Sequence, residues 1–74
     1  YTMVFDYSKL LGKIKEKGLT QETLAKKIGI TPGSMSEKLN NKANFKQKEI
    51  TLICLALDIS IGEIGEYFFT QKVR

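Results

Sequence analysis

The chain contains no histidine, one cysteine and one proline in 74 residues. Without histidine there is no imidazole to act as a general base near neutral pH or to ligate zinc, and a lone Cys54 supports neither an intramolecular disulfide nor a thiolate metal cage. No metal and no cofactor are therefore expected. Enzyme chemistry is not expected either: Ser34, Ser36, Glu37 and Lys38 share one segment, but nothing pairs a nucleophile with an oriented base, and no glycine-rich phosphate loop is present. No apolar run reaches the roughly 18 to 20 residues needed to cross a bilayer, and the amino-terminal stretch lacks a basic region followed by an apolar core. The reading is an intracellular protein without a membrane role or a small-molecule substrate.

What remains is short, helical and unevenly charged. At 74 residues the chain has room for a single domain, residues 1–74, which buries only about 60% of its unfolded surface and is correspondingly marginal in stability. The net charge of +4 is not spread evenly. Residues 1–48 hold ten lysines and four acids, while residues 49–74 hold two basic and four acidic side chains. Taken alone, the lysines at 9, 13, 17, 26, 27, 38, 42, 46 and 48 read as solvated helix faces; combined with a nucleic-acid-binding motif they read as a phosphate-facing surface.

Five helices account for the pattern. Asp6 is placed to cap a first helix from about Tyr7 to Lys17, with Leu10, Leu11 and Ile14 inward and Gly18 ending it. Leu24, Ala25 and Ile28 share one face of a second helix that Gly29 stops. Thr31 then serves as an N-cap, Pro32 fits the first helical position, and Met35 and Leu39 repeat the four-residue spacing of a third. Asn41 suits a left-handed exit. A fourth helix from about Lys46 to Leu57 places Ile50, Ile53, Cys54 and Leu57 on one stripe, and Leu52, Leu55 and Ala56 widen it, predicting a nearly buried helix with Cys54 as a core residue. Ser60 and Glu63 form the S-x-x-E box that starts a fifth helix carrying Ile61, Ile64, Tyr67 and Phe68.

The second and third helices, held by a small-residue turn, make a helix-turn-helix. Gln21, Ala25, Gly29 and the apolar spacing from Thr20 to Asn40 together resemble the lambdoid phage repressor and Cro proteins and their xenobiotic-response-element relatives, over about residues 6–68. The resemblance implies an all-α, five-helix lambda-repressor-like DNA-binding domain with the helix-turn-helix at helices 2 and 3. It also implies a DNA-binding (or partner-binding) surface on Gln21, Thr31, Pro32, Gly33, Ser34, Glu37, Lys38, Asn40 and Lys42, with Ser36 and Asn44 nearby. In such proteins the third helix lies in the major groove and Gln21, Asn40 and Lys42 hold the backbone. Pro32 and Gly33 offer only apolar surface or close backbone approach, so direct base readout is sparse. Glu37 either accepts from a cytosine amino group or is a solvated residue paired with Lys38 or Lys42.

Two functions follow. The first is a phage-type transcription regulator in the bacterial cytoplasm, binding double-stranded operator DNA as a homodimer whose reading helices stand about 34 Å apart. Tyr67, Phe68 and Phe69, with the apolar start Met3-Val4-Phe5, are the candidate dimer surface; alternatively they close the core from opposite chain ends. The second is a modulator of a phage lysogeny switch that acts mainly by binding a partner repressor protein rather than DNA, motivated by the sparse reading residues Pro32 and Gly33, the acid Glu37 and the surplus of aromatic residues at the carboxyl end.

Overall fold

A computed structural model describes residues 4–71. Its helices are α1 (Ser8–Glu16), α2 (Gln21–Ile28), α3 (Pro32–Leu39), α4 (Gln47–Leu57) and α5 (Ile64–Phe68), with a 3₁₀ turn at Ile61–Glu63 leading into the last. Four of the five helices stop by the same device. Gly18, Gly29, Asn41 and Asp58 follow α1 to α4 with φ of 74°, 82°, 63° and 56°. At Gly29 the reversed φ swings the next two amides back onto the helix end. Gly29 N–H donates to the Lys26 carbonyl at 3.3 Å and Ile30 N–H to the Ala25 carbonyl at 3.0 Å, which satisfies carbonyls that a helix end otherwise leaves open. Asn41 does the same for α3, with Lys42 N–H on the Glu37 carbonyl at 2.8 Å.

The starts are capped by short hydroxyl side chains. Thr20 accepts from Thr23 N–H at 3.1 Å while Thr23 Oγ1 accepts from Thr20 N–H at 2.8 Å. Thr31 accepts from Ser34 N–H at 3.1 Å ahead of Pro32, whose missing donor costs nothing in the first turn. Asp6 acts one residue further out than expected: its Oδ1 accepts from Ser8 N–H at 2.9 Å and Ser8 Oγ at 2.5 Å. Ser60 and Glu63 form their reciprocal box, but the turn they open is 3₁₀ before it becomes α5.

Every helix contributes to one core, although Leu11, expected to face inward from α1, is 39% exposed. Leu10 and Ile14 of α1, Leu24, Ala25 and Ile28 of α2, Met35 and Leu39 of α3, Ile53, Cys54 and Leu57 of α4, and Tyr67 and Phe68 of α5 are buried together. Cys54 sits there as a small apolar side chain, and burial pushes its thiol pKa up, away from reactivity. The fully buried leucines and Phe68 each contribute about 1.5–3 kcal/mol of burial free energy. The expectation for α4 is corrected on one side: Leu52 and Leu55 are 42% and 72% exposed. α4 packs on one face only, so Leu52 and Leu55 point to solvent, while Ala56, the third residue of the widened stripe, is half-buried against the core.

The two ends of the described chain meet. Phe5 and Gln71 form an antiparallel bridge, and Asp6 N–H donates to the Thr70 carbonyl at 2.7 Å. Asn41 clamps the same segment from the other side, its Oδ1 accepting from Phe5 N–H and its Nδ2 donating to the Phe5 carbonyl, both at 2.9 Å. Edge-to-face aromatic contacts run from Phe69 to Phe5 and from Tyr7 through Phe45 to Phe68, joined by the tilted Phe5–Tyr7 pair. Edge-to-face is the arrangement ring quadrupoles favour. Met3, grouped with this apolar start, lies outside the described residues.

Candidate functional site

α2 and α3 pack on one another and are separated only by the Gly29–Thr31 turn. Leu24, Ala25 and Ile28 face inward from one helix and Met35 and Leu39 from the other, so the opposite sides form a continuous outer surface. Gln21 is exposed at the first residue of α2, and Thr31, Pro32, Gly33, Ser36 and Glu37 are exposed along α3. Ser34 is half-buried beneath the Thr31 cap. Asn40 is exposed at the end of α3, where its Nδ2 donates to the Ser36 carbonyl at 2.8 Å, and Lys42 and Asn44 are exposed in the following loop. Apart from Ser34, these residues are exposed on α2, on α3 with its preceding turn, and on the loop that follows.

Lys38 does not join them. It is 6% exposed, and its Nζ reaches both oxygens of Glu49, itself 8% exposed, at 2.6 Å each. The correction has a physical cause: Lys38 follows Met35 by three positions and sits beside Leu39, so it lies on the inward edge of α3. There an ammonium can be desolvated only against an acid. Glu49 supplies that acid from the first turn of α4, where its Oε1 also accepts from Lys46 N–H at 2.9 Å. Burial alone would raise the Glu49 carboxyl, but the Lys38 ammonium and the Lys46 amide outweigh it and hold the group below the usual carboxylate value. The pair locks α3 to α4. Glu37 is exposed and has no ion-pair partner among the described residues, so neither Lys38 nor Lys42 neutralises it.

The sequence matches, over residues 3–71, the family described as protein of unknown function (DUF739). The chain belongs to this DUF739 family. Among solved structures it is similar to the solution structure of the modulator of repression (MOR) of the temperate bacteriophage TP901-1 from Lactococcus lactis, at 41% identity, a TM-score of 0.77 and 95% coverage of each chain. No curated protein sequence matches. This DUF739 chain is thus an all-α homologue of a phage regulatory protein, and among its described residues no helix is long and apolar enough to cross a membrane.

The aromatic end of this DUF739 protein is a second correction. Tyr67 and Phe68, expected on a dimer surface, are 6% and 1% exposed and complete the core, while Phe69 is 54% exposed and lies edge-on to Phe5. Of the two readings of this segment, closure of the core holds for the first two residues. Lys9 stacks over the Tyr67 ring at 5.0 Å and pairs with Glu66, so even the polar edge of α5 is occupied by α1. The sequence reading missed Glu49 and the clamp made by Asn41. A signal for the first was available in Glu49 itself, an acid three residues beyond Lys46 in a box that starts α4.

Proposed function

We propose that this protein is a phage-type regulator that modulates repression by binding a repressor protein, and that it does not act by reading operator DNA. One observation carries the reading. The outward side of α3 presents Pro32, Gly33, Ser36 and Glu37 and no cation, because Lys38, the only lysine of the helix, is buried against Glu49. A helix in the major groove gains specificity from long polar donors and meets a wall of phosphates. This one brings an apolar tip and an unneutralised acid. Such a surface suits a protein face, where Pro32 contributes buried area at little entropic cost and Glu37 meets a basic side chain. The similarity to a phage modulator of repression supports the same direction. No catalytic role is part of the proposal, and its place of action is the host cytoplasm, where a phage repressor works.

Operator binding is the second reading, and Lys27 and Lys42 favour it: both are exposed, and neither has an ion-pair partner among the described residues. Two titrations separate the readings. Calorimetry of the protein into the repressor encoded by the same phage gives a saturable complex that Glu37→Lys and Pro32→Ala weaken. A mobility shift on operator DNA gives at most a weak, sequence-independent signal that vanishes with salt. A sequence-selective shift persisting at physiological salt, with no heat from the repressor, would reverse the order of the two readings.

A further inference from the structure

The outer face of α4 carries two exposed leucines. Leu52 and Leu55, 42% and 72% exposed, stand three residues apart on one side of the helix, beside exposed Thr51 and Lys48. Exposed leucines at this spacing form a single stripe. One end of the stripe carries Lys48, which has no ion-pair partner among the described residues. The other end carries Asp58, the left-handed cap of α4, whose side chain is 80% exposed and lies 3.2 Å from Lys17. Along the helix the order is therefore cation, leucine, leucine, anion.

That order is its own complement when reversed, and we propose that this face is where a second copy of the chain docks, α4 packing antiparallel on α4 about a two-fold axis. An axis through the midpoint of Leu52 and Leu55 sets each residue against the one equally far on the other side of that midpoint. Leu52 then meets Leu55 of the second copy. Lys48 falls opposite position 59, one residue past Asp58 and within reach of its carboxylate, so Asp58 is shared between Lys17 of its own chain and Lys48 of the other. Both leucine pairs and both ion pairs form at once, as an isologous interface requires. A parallel arrangement would set Lys48 against Lys48 in a chain already carrying +4 and is disfavoured by like-charge repulsion. Two helices of three turns bury less than the roughly 800 Å² per partner of a standard interface, so the dimer is weak, with a dissociation constant of about 10 µM to 1 mM. The surface is distinct from the outer side of α2 and α3 and leaves it free for a partner.

The test is sedimentation equilibrium of the full chain from about 10 µM to 1 mM at low salt, the range set by the expected affinity. The mass of the wild type rises from 8.4 kDa toward twice that value, while Leu55→Lys stays monomeric. Because Leu55 is exposed, that variant keeps its fold, which circular dichroism verifies; Leu11→Lys, on the exposed side of α1, associates as the wild type does. Lys48→Glu and Asp58→Lys each weaken association about tenfold, and an equimolar mixture of the two regains wild-type association within about threefold, since the mixed dimer keeps one Lys48–Asp58 pair and reforms the other with its signs reversed. The proposal is overturned if the wild type remains at monomer mass throughout, if Leu55→Lys associates like the wild type, or if the mixture associates no better than either variant alone. Failure on any of these counts leaves repressor binding, measured separately, untouched.

Discussion

Replacing Lys38 by methionine keeps the length of the stem and removes only the ammonium. What is left is the Glu49 carboxylate, 8% exposed, with Lys46 N–H as its remaining hydrogen-bond donor. Removing one partner of a buried pair costs about 3–5 kcal/mol, because the other charge stays desolvated. A chain of 74 residues has a total stability of roughly 4–11 kcal/mol on the usual per-residue scale. The substitution is therefore expected to consume a quarter or more of it, moving the urea midpoint down by about 3–5 M at a slope near 1 kcal/mol per molar, or to unfold the protein outright. Glu49→Gln on the Lys38→Met background keeps the acceptor for Lys46 N–H while removing the stranded charge, so it regains at least half of the loss. The measurement is urea denaturation followed by circular dichroism on the wild type, both single variants and the double variant, closed as a cycle. A loss below about 1 kcal/mol for Lys38→Met, the range of solvated surface pairs, would refute the reasoning and return Lys38 to the outer face of α3.

Three further outcomes follow from the same geometry. Gly29→Ala, at φ 82° with open space around the added Cβ, loses about 1–2 kcal/mol from backbone strain alone, so its thermal midpoint drops while its helix content in the folded state is unchanged. Asn41→Gly keeps the left-handed exit but gives up both hydrogen bonds to Phe5, costing about 1–3 kcal/mol; Asn41→Ala, which also strains the exit, is worse, and the opposite order in chemical denaturation would dismiss the clamp. Acid sensitivity comes from Glu49: its folded pKa is depressed, so its contribution is complete above the unfolded carboxylate value and disappears as pH falls through the folded one. Stability of the wild type thus declines below about pH 5, and Glu49→Gln flattens that decline in denaturation curves taken across the acid range.

The scaffold was readable from local chemistry. Thr20, Gly29, Thr31, Pro32 and Asn41 each act on amides and carbonyls within a few residues, so their spacing alone places the ends of α2 and α3. Apart from small shifts at the starts of α1 and α5, the misreadings are long-range. Lys38 and Glu49 belong to different helices and lie on no common periodic face, so no spacing rule links them. Tyr67 and Phe68 read equally well as surface or closure, and only the position of α1 beside α5 decides between the two. Leu52 and Leu55 follow from the reverse error: a helix apolar on all sides predicts burial all round, yet in a chain this small α4 has neighbours on one side only.

The joining of Phe5 to Gln71 and of Asp6 to Thr70 has a kinetic corollary. Most packing in this molecule links segments near one another in sequence, which favours rapid folding. The bridge between the ends spans nearly the whole described chain and encloses the largest loop, so its closure carries the greatest chain-entropy cost of any contact here. It lies outside the helices, so it can open without unfolding them. Amides at Phe5 and Asp6 should therefore exchange with solvent through an opening that leaves the α2–α3 core intact, a reversible unlatching at one edge of an otherwise cooperative domain.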